Sequence, residues 1–532
     1  MYKVLVHSLL TLVLTSGAVA DSVTPKKVGI IGGGISGASA AYYVNEGMVA
    51  ASTPVNITIF EKNNHIGGRV ESVNLPGTSQ KFDTGASIFV DINHNIVDFA
   101  HKLGLDIGSK DPNTAVDNPT TGVWDGTQFP FVFTGNDTVD DTNAYNRYGS
   151  DTPGAVYTFS LDNVNKYLQT YNLTTPFNTI GDLLTATDLS GFLTKTASEV
   201  LATIPNANQN YLKEVVEIST RVNYAQSLAG IHAMGMVISQ MPNVATSMHV
   251  RNGNQQLVQG IAELSGANIQ LNTAVKKVEK IASSTGAVQY KVTTASGAVD
   301  TFDALIMASP TSTYTDAAIQ WVGLKEGAYF TTLAPPVEYT TLHVTFVVGR
   351  MKPAYFFKGD EAKYSNLPLN VYTTANSTSV TPFTSISVEY ILSTIELYEV
   401  CRAANVSDTA VAADIAALEE ELASENRTKE AASLSADTKT YAFYTIAKFF
   451  SPEKMTDTQL RKVYAGYFWT YRTSHKAYPK LDTRTDDEFP PITVDDKLYF
   501  PNAFEPYIST METSTVSSHN AAKLLVQDLS SA

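Results

Sequence analysis

The sequence predicts an α/β fold: a βαβ domain interrupted by a second domain of α+β character. Three observations carry this. An apolar, β-branched run, Val28-Gly29-Ile30-Ile31, breaks into glycines at Gly32, Gly34 and Gly37. A helical pattern of small residues follows from Ala38 to Val44. A second apolar run, Ile57-Thr58-Ile59-Phe60, ends on Glu61, about 24 residues past the last glycine.

Each part has a physical reason. Gly32 permits a tight turn, Gly34 lets the backbone approach a diphosphate, and Gly37 lets the helix pack on the strand. Ile35 and Ser36 complete the turn. The free N–H groups and dipole of the helix start favour the anion. Glu61, with Lys62 beside it, is placed to accept from ribose hydroxyls. A dinucleotide site is therefore expected at residues 28–62.

The 532-residue chain is long for one core, so two domains are the natural expectation. Hydrophobic content of 43% fits a folded globular protein, and a net charge of −15 argues against nucleic acid or an anionic membrane as partner. Residues 1–20 form a targeting segment: Lys3, an apolar core from Leu5 to Val13, and a small-residue cleavage site after Ala20. No later apolar run is long enough to span a bilayer. Sequons at Asn136, Asn172, Asn376, Asn405 and Asn426 suit a secreted, lysosomal or vacuolar protein; a sixth, Asn56, abuts a buried strand. The single cysteine, Cys401, cannot form an intrachain disulfide and sits in a helical pattern from Ile395.

Beyond Glu61 come Ile66-Gly67-Gly68-Arg69 and Phe82-Asp83-Thr84-Gly85-Ala86-Ser87. A nicotinamide enzyme has no need of a Gly-Gly-Arg turn there. A flavoprotein does: Gly67 and Gly68 admit the extended FAD, and Arg69 meets either its pyrophosphate or its flavin edge. A helix is expected over 95–105. Residues 111–245 are rich in Asn, Asp and Thr, with a strand at Phe129–Phe133 and helical patterns at 164–171, 179–203, 210–221 and 230–240. Residues 246–310 return to the first domain: a helix ending at Ser265, then strands at Ile269, Val275, Val288, Ala298 and Ala304. Residues 311–485 give strands at 339–348 and 385–390 and one charged helix over 411–432. Residues 486–532 close the chain through Thr510-Met511-Glu512-Thr513 and a helix over 516–529.

The glycine fingerprint, Gly67-Gly68-Arg69 and the Gly85-Ala86-Ser87 turn resemble the large family of FAD-dependent amine oxidases and phytoene desaturases. Narrower matches, Arg221-Val222-Asn223-Tyr224-Ala225-Gln226-Ser227 with Ile231-His232-Ala233, Gly253-Asn254, and Ser509-Thr510-Met511-Glu512-Thr513, resemble the prenylcysteine oxidases (prenylcysteine lyases). The match covers nearly the whole mature chain. It departs where Asp83-Thr84-Gly85-Ala86 replaces a Glu with paired glycines, and where Arg251-Asn252 precedes Gly253.

The resemblance implies a Rossmann-like FAD domain of the glutathione-reductase/amine-oxidase type (parts 21–110, 246–310 and 486–532) and an inserted substrate domain (111–245 and 311–485). It implies non-covalent FAD held by Gly32, Gly34, Ile35, Ser36, Gly37, Glu61, Lys62, Gly68, Arg69, Gly85, Ala86, Ser87, Val275, Thr510, Met511 and Glu512, with Val275 against the adenine and the last helix facing the flavin. Glu512 is either part of that site or a structural acid at the helix start. The implied reaction takes a hydride from the C1 carbon of farnesyl- or geranylgeranyl-cysteine, adds water, and gives prenyl aldehyde, cysteine and, with dioxygen, hydrogen peroxide. His232, to activate water or hold the amino acid's carboxylate, Arg221, to pair with that carboxylate, and Tyr224 and Gln226, along the flavin face, are the catalytic candidates; each also has a purely structural reading. A Met cluster (Met234, Met236, Met241, Met248) suits either a prenyl tunnel or plain core. Two other functions stay open: a different FAD-dependent oxidase of an apolar amine, alkene or thioether, and a secreted flavin binder without turnover. No metal is expected, and a monomer is favoured.

Overall fold

A computed structural model describes residues 24–109, 116–310, 319–331 and 337–530. The targeting segment and the cleavage position after Ala20 lie outside the described residues. The elements that frame the site are, along the chain, β1 (Lys26–Ile31), α1 (Ile35–Ala50), β2 (Val55–Phe60), α2 (His94–Lys102), α3 (Glu217–Tyr224), α4 (Ala233–Ser239), α5 (Gln255–Leu264), β3 (Asn268–Gln270), β4 (Ala304–Met307), β5 (Tyr339–Met351), β6 (Ser385–Leu392), β7 (Tyr444–Ser451), β8 (Tyr464–Pro479), β9 (Leu498–Tyr499) and α6 (Met511–Ser530).

The glycine fingerprint lies on a parallel sheet of order β3-β2-β1-β4-β9, with Thr493–Asp495 antiparallel on its edge. Such a sheet needs covering on both faces, and its strands are accordingly apolar throughout: Val28, Ile30, Ile59, Leu305 and Ile306 are fully buried. The register pairs Ile31 with both Phe60 and Met307, so three strands end together at their carboxyl edge. Helix α1 begins there. Its Ala38, Ala40, Ala41 and Val44 are fully buried. Their small size lets α6 come close, and a Cβ on Gly47 would stand 2.8 Å from Val526 Cγ2.

The second large sheet has the order β8-β5-β7-β6, followed by Asn370–Thr373, Thr121–Trp124 and Phe131–Phe133. Segments more than two hundred residues apart thus share one sheet. Along β5 the side chains alternate: Phe346 and Val348 face one core with Phe82, and Val347 faces another with Phe449. The first of these cores reaches across to the nucleotide-binding domain, because Phe82 lies on the strand Lys81–Asp83 and its ring meets that of Phe346.

Three expectations need correction. The charged helix over 411–432 is two helices, Asp408–Ser424 and Thr428–Ser435. Asn426, with φ +56°, ends the first, and Arg427 is held between Glu425 and Glu430. That helix also buries Val411, Leu418 and Leu422, so only part of it is a solvated face. The closing helix starts at Met511, ahead of the expected Val516, because the Thr510 hydroxyl accepts from the Thr513 N–H. The pattern over 179–203 is two short helices, Ile180–Ala186 and Ala197–Leu201, each opened by a Thr capping box. Cys401 is buried within the helix Thr394–Ala403, and burial pushes its thiol up to about 11.

Candidate functional site

The site is built where β1 gives way to α1. Gly32 has φ +112°, and a Cβ there would meet Ala308 O at 2.9 Å. A Cβ on Gly37 would lie 1.9 Å from Gly32 O, so turn and helix cannot close around any larger residue. Gly34 differs. Its backbone is extended, and a Cβ would find only the Gly68 Cα at 3.8 Å and the Gly67 O at 3.9 Å. The Gly67–Gly68 turn runs beside it, with the Gly67 N–H donating to Gly33 O. Backbone therefore flanks an open space above the amino end of α1. A diphosphate fits such a space, since it needs N–H donors and no side chains in the way.

Glu61 ends β2 beside this space. Its carboxylate accepts from Gly33 N at 2.8 Å and from Asn63 N at 2.7 Å, which fixes the turn and leaves lone pairs free for a ribose. Lys62 is exposed, Ile35 is half-buried, and Ser36 is buried with its carbonyl accepting from Ser518 Oγ. Val275 is buried at the start of the strand Val275–Ala282, two residues past Thr273, whose N–H donates to Glu61 O. Asn502 adds a second sign of fit: its Oδ1 is buried with no partner among the described residues, while its Nδ2 donates to Ala308 O beside Gly32.

Further along, the Asp83–Ser87 turn is gripped from two sides. Asn254 donates to Ala86 O and, through its N–H, to Asp83 Oδ1. The ammonium of Lys448 donates to Asp83 O and to Ser87 Oγ and lies 3.1 Å from Glu389. Both charged side chains are buried at the centre of the second sheet, where a bulge in β6 interrupts the register at Glu389. Gly85 is buried, and Ala86 is exposed with φ +50°. Opposite Gly85, from β8, stands the ring of His475. Sequence reasoning missed Lys448, Glu389 and His475. They sit inside strands, with no local spacing to mark them.

Several expected residues have other partners. Arg69 pairs with Glu505, donates to Ala477 O at 3.1 Å and lies over the ring of Tyr339. The Tyr339 hydroxyl donates to the same Glu505. Arg69 thus ties the glycine turn to β8 and β5. His232 needs correction. It is fully buried and caps α4: Nδ1 accepts from Gly235 N, so Nε2 carries the proton and donates to Pro506 O. Both nitrogens are occupied, and burial holds the imidazole down to about 4. It is therefore not placed to activate water. Arg221 donates to Thr373 O and Oγ1, its pKa lowered by burial against the opposing pull of Glu217. Gln226 accepts from Leu481 N and donates to Gly230 O, bracing the neighbouring loop.

Tyr224 is the one member of that stretch at the closing segment. Its hydroxyl reaches Ser509 O at 3.5 Å, and its ring meets Tyr478 edge to face. Thr510 and Met511 open α6, with Met511 buried. Glu512 points the other way. Its oxygens accept from Asn95 N, Ile96 N and Tyr171 OH, capping α2, and burial pushes its carboxyl up to about 7. That is the structural alternative for the carboxylate, and it leaves the Glu512 backbone at the amino end of α6. Of the Met cluster, Met234 and Met236 are fully buried in α4 and Met241 nearly so, while Met248 is half-buried against the same core. Among the described residues there is no group of side chains suited to a metal and no helix long and apolar enough to cross a membrane.

The chain matches two family models, the NAD(P)-binding Rossmann-like domain over residues 30–103 and prenylcysteine lyase over residues 137–532. It is 25% identical to a farnesylcysteine lyase of Arabidopsis thaliana over 529 residues, covering 96% of this chain and 90% of that protein. It is 24% identical to prenylcysteine oxidase 1 of Homo sapiens over 518 residues, covering 94% and 88%. Among solved structures, a redesigned putrescine oxidase matches with a TM-score of 0.53 at 11% identity, covering 94% of this chain and 99% of that one. A fatty acid isomerase from P. acnes matches with a TM-score of 0.52, also at 11% identity, covering 94% and 98%. At such identities the structures speak for the fold alone. With a family match over most of its length and relatives aligned nearly end to end, this chain belongs to the prenylcysteine lyase family.

Proposed function

We propose that this protein is a FAD-dependent thioether oxidase that cleaves farnesyl- or geranylgeranyl-cysteine to a prenyl aldehyde, free cysteine and hydrogen peroxide. The observation that carries the reading is end-to-end kinship with proteins named farnesylcysteine lyase and prenylcysteine oxidase 1. The open, backbone-lined space between Gly34 and Gly68 supports it.

Bound FAD would supply the hydride acceptor for the carbon beside sulfur and pass the electrons on to dioxygen. The chain's own residues bind and orient. The Gly34 and Gly68 backbone would hold the diphosphate, Glu61 a ribose, Val275 the adenine, and the amino end of α6 at Thr510-Met511 the flavin. Buried Tyr224 and Tyr478, packed edge to face beside the closing segment, would help keep bulk water from the reacting carbon. Cys401, the one cysteine of the chain, is packed against the second sheet, which supports non-covalent FAD.

The test is anaerobic mixing of purified holoprotein with farnesylcysteine while following the oxidised-flavin band, about 450 nm. Bleaching is expected. An unbleached flavin that an apolar amine does bleach refutes the reading. We also place the protein in the secretory pathway, ending in a lysosome or vacuole or outside the cell. Asn136, Asn172, Asn376, Asn405 and Asn426 are all exposed. Glycosidase treatment of protein from a eukaryotic host is expected to lower its mass.

A further inference from the structure

His475 is a histidine the preceding account leaves without a task. Its ring projects from β8 toward the Asp83–Ser87 turn. A Cβ on Gly85 would lie 3.0 Å from its Nε2 and 3.3 Å from its Cε1. Neither ring nitrogen hydrogen-bonds another described residue. This is the reverse of His232, whose two nitrogens are both engaged. The charge that acts on the ring is that of Arg69 from the glycine turn; Arg69 is paired with Glu505, to which the Tyr339 hydroxyl of β5 also donates, and the Lys448 ammonium of β7 holds the same Asp83–Ser87 turn. Burial first, and the Arg69 charge second, hold the imidazole down to about 4. At neutral pH it is uncharged, with a lone pair to offer.

The reaction proposed above needs such a group. Once the carbon bonded to sulfur has lost its hydride to the bound flavin, water must add to it. A water molecule bonded to an electron-poor carbon is strongly acidic and must lose a proton.

Building on that reading, we infer that His475 is the base that takes this proton, with Nε2 directed at the face of the cradle where the substrate carbon lies. The water oxygen bonds to carbon, one water proton passes to His475, and a hemithioacetal and an imidazolium result. On collapse the carbon–sulfur bond breaks. The hydroxyl proton leaves to solvent as the carbonyl forms, and the imidazolium returns its proton to the departing sulfur as the thiol. One water is consumed and one proton released, which matches the hydride already transferred. The neighbouring Arg69 charge favours prompt return of the proton, since it destabilises the imidazolium.

The test uses holoprotein of the wild type, H475N and H475Q, with farnesylcysteine as probe and every rate expressed per bound flavin. The two variants are chosen because His475 leaves no hydrogen bond orphaned when replaced. Flavin content and the resting flavin spectrum are expected to match the wild type. Anaerobic bleaching is expected within ~3-fold of wild type, while release of free thiol falls by ~100-fold or more, as for loss of a general base. In the wild type, thiol release falls as acid protonates the imidazole, and the variants lose that limb. Thiol release at the wild-type rate in both variants overturns the inference. So does loss of flavin, or bleaching slowed as much as thiol release, because either makes His475 a structural support of the cradle. Failure of the wild type itself to bleach overturns the prenylcysteine reading and this inference with it, and is recognised before any variant is made.

Discussion

Gly34 and Gly37 lie three residues apart, yet the structure separates their roles, and one pair of substitutions tests this. Gly34 has φ −81° and ψ −173°, a conformation open to any residue, with nothing nearer to its absent Cβ than 3.8 Å. Gly34→Val therefore enters free space. A less flexible unfolded chain stabilises by roughly 0.4–1 kcal/mol, and a poorer helix cap costs about as much. The folded state should change by less than about 1 kcal/mol. The same side chain fills the space meant for diphosphate. A thousandfold loss of FAD affinity, about 4 kcal/mol, is a modest expectation for such a clash. Gly37→Ala does the opposite: its Cβ falls 1.9 Å from Gly32 O, backbone that cannot turn aside. The cost should reach or exceed the roughly 1–3 kcal/mol typical of overpacking. The assay is flavin-to-protein absorbance after purification, with thermal midpoints measured with and without excess FAD. Wild type should gain from added FAD, by about 2.7 kcal/mol at a hundredfold excess over Kd. Gly34→Val should melt like flavin-free wild type and gain nothing, and Gly37→Ala should melt lower in both conditions. A Gly34→Val protein that purifies with full flavin, or a Gly37→Ala protein as stable as wild type, refutes the assignment.

His232→Ala should cost about 2 kcal/mol of stability, from a lost cap and an orphaned Gly235 N–H, while turnover per bound flavin stays within a few-fold; denaturant midpoints and steady-state rates check this. Lys448→Met strands a buried Glu389 and should cost about 3–5 kcal/mol, with much of that recovered in the K448M/E389Q double variant. Stability should also fall in acid. His232, His475 and His519 titrate near 4 in the folded state and near 6.5 unfolded, so the unfolded chain binds more protons and stability drops as pH falls from about 6.5 to 4. Glu512, pushed up to about 7, opposes this: its contribution drops as pH rises from about 4.5 to 7. Glu512→Gln should therefore steepen the acid loss, and denaturant midpoints that stay flat between pH 4.5 and 6.5 would refute the bookkeeping.

The parts of the molecule legible in the sequence are those whose chemistry is local. The turn at Gly32–Gly37 and the strand ending in Glu61 impose spacing on consecutive residues, so they can be read without knowing the fold. The partners of Arg69, His232 and Glu512 could not be read that way. Each side chain is satisfied by a group far off in sequence: Glu505, Pro506 O, and the amino end of α2. The same holds for Lys448 and His475. Their strands have the mixed polar and aromatic texture of a half-buried sheet, and only pairing through β5 and β6 turns them toward the Asp83–Ser87 turn. The narrow motif over 221–227 identified a family without identifying a site: Arg221 and Gln226 fix neighbouring backbone, and only Tyr224 borders the closing segment.

The order of strands in the parallel sheet has a consequence for how the protein is made. Its five parallel strands are drawn from residues 26–60, 268–270, 304–307 and 498–499, and α6 at 511–530 covers α1. During synthesis the glycine turn leaves the ribosome early, but the strand and helix that complete its surroundings arrive last. The first βαβ unit must wait, with α1 lacking its cover, while the whole second sheet forms between its halves. Contacts of such long range are slow to form and leave apolar surface open to misassociation. Cofactor loading is then a late event on a nearly finished chain, and shortening the chain within α6 should yield aggregated, colourless protein even though every glycine of the turn is intact.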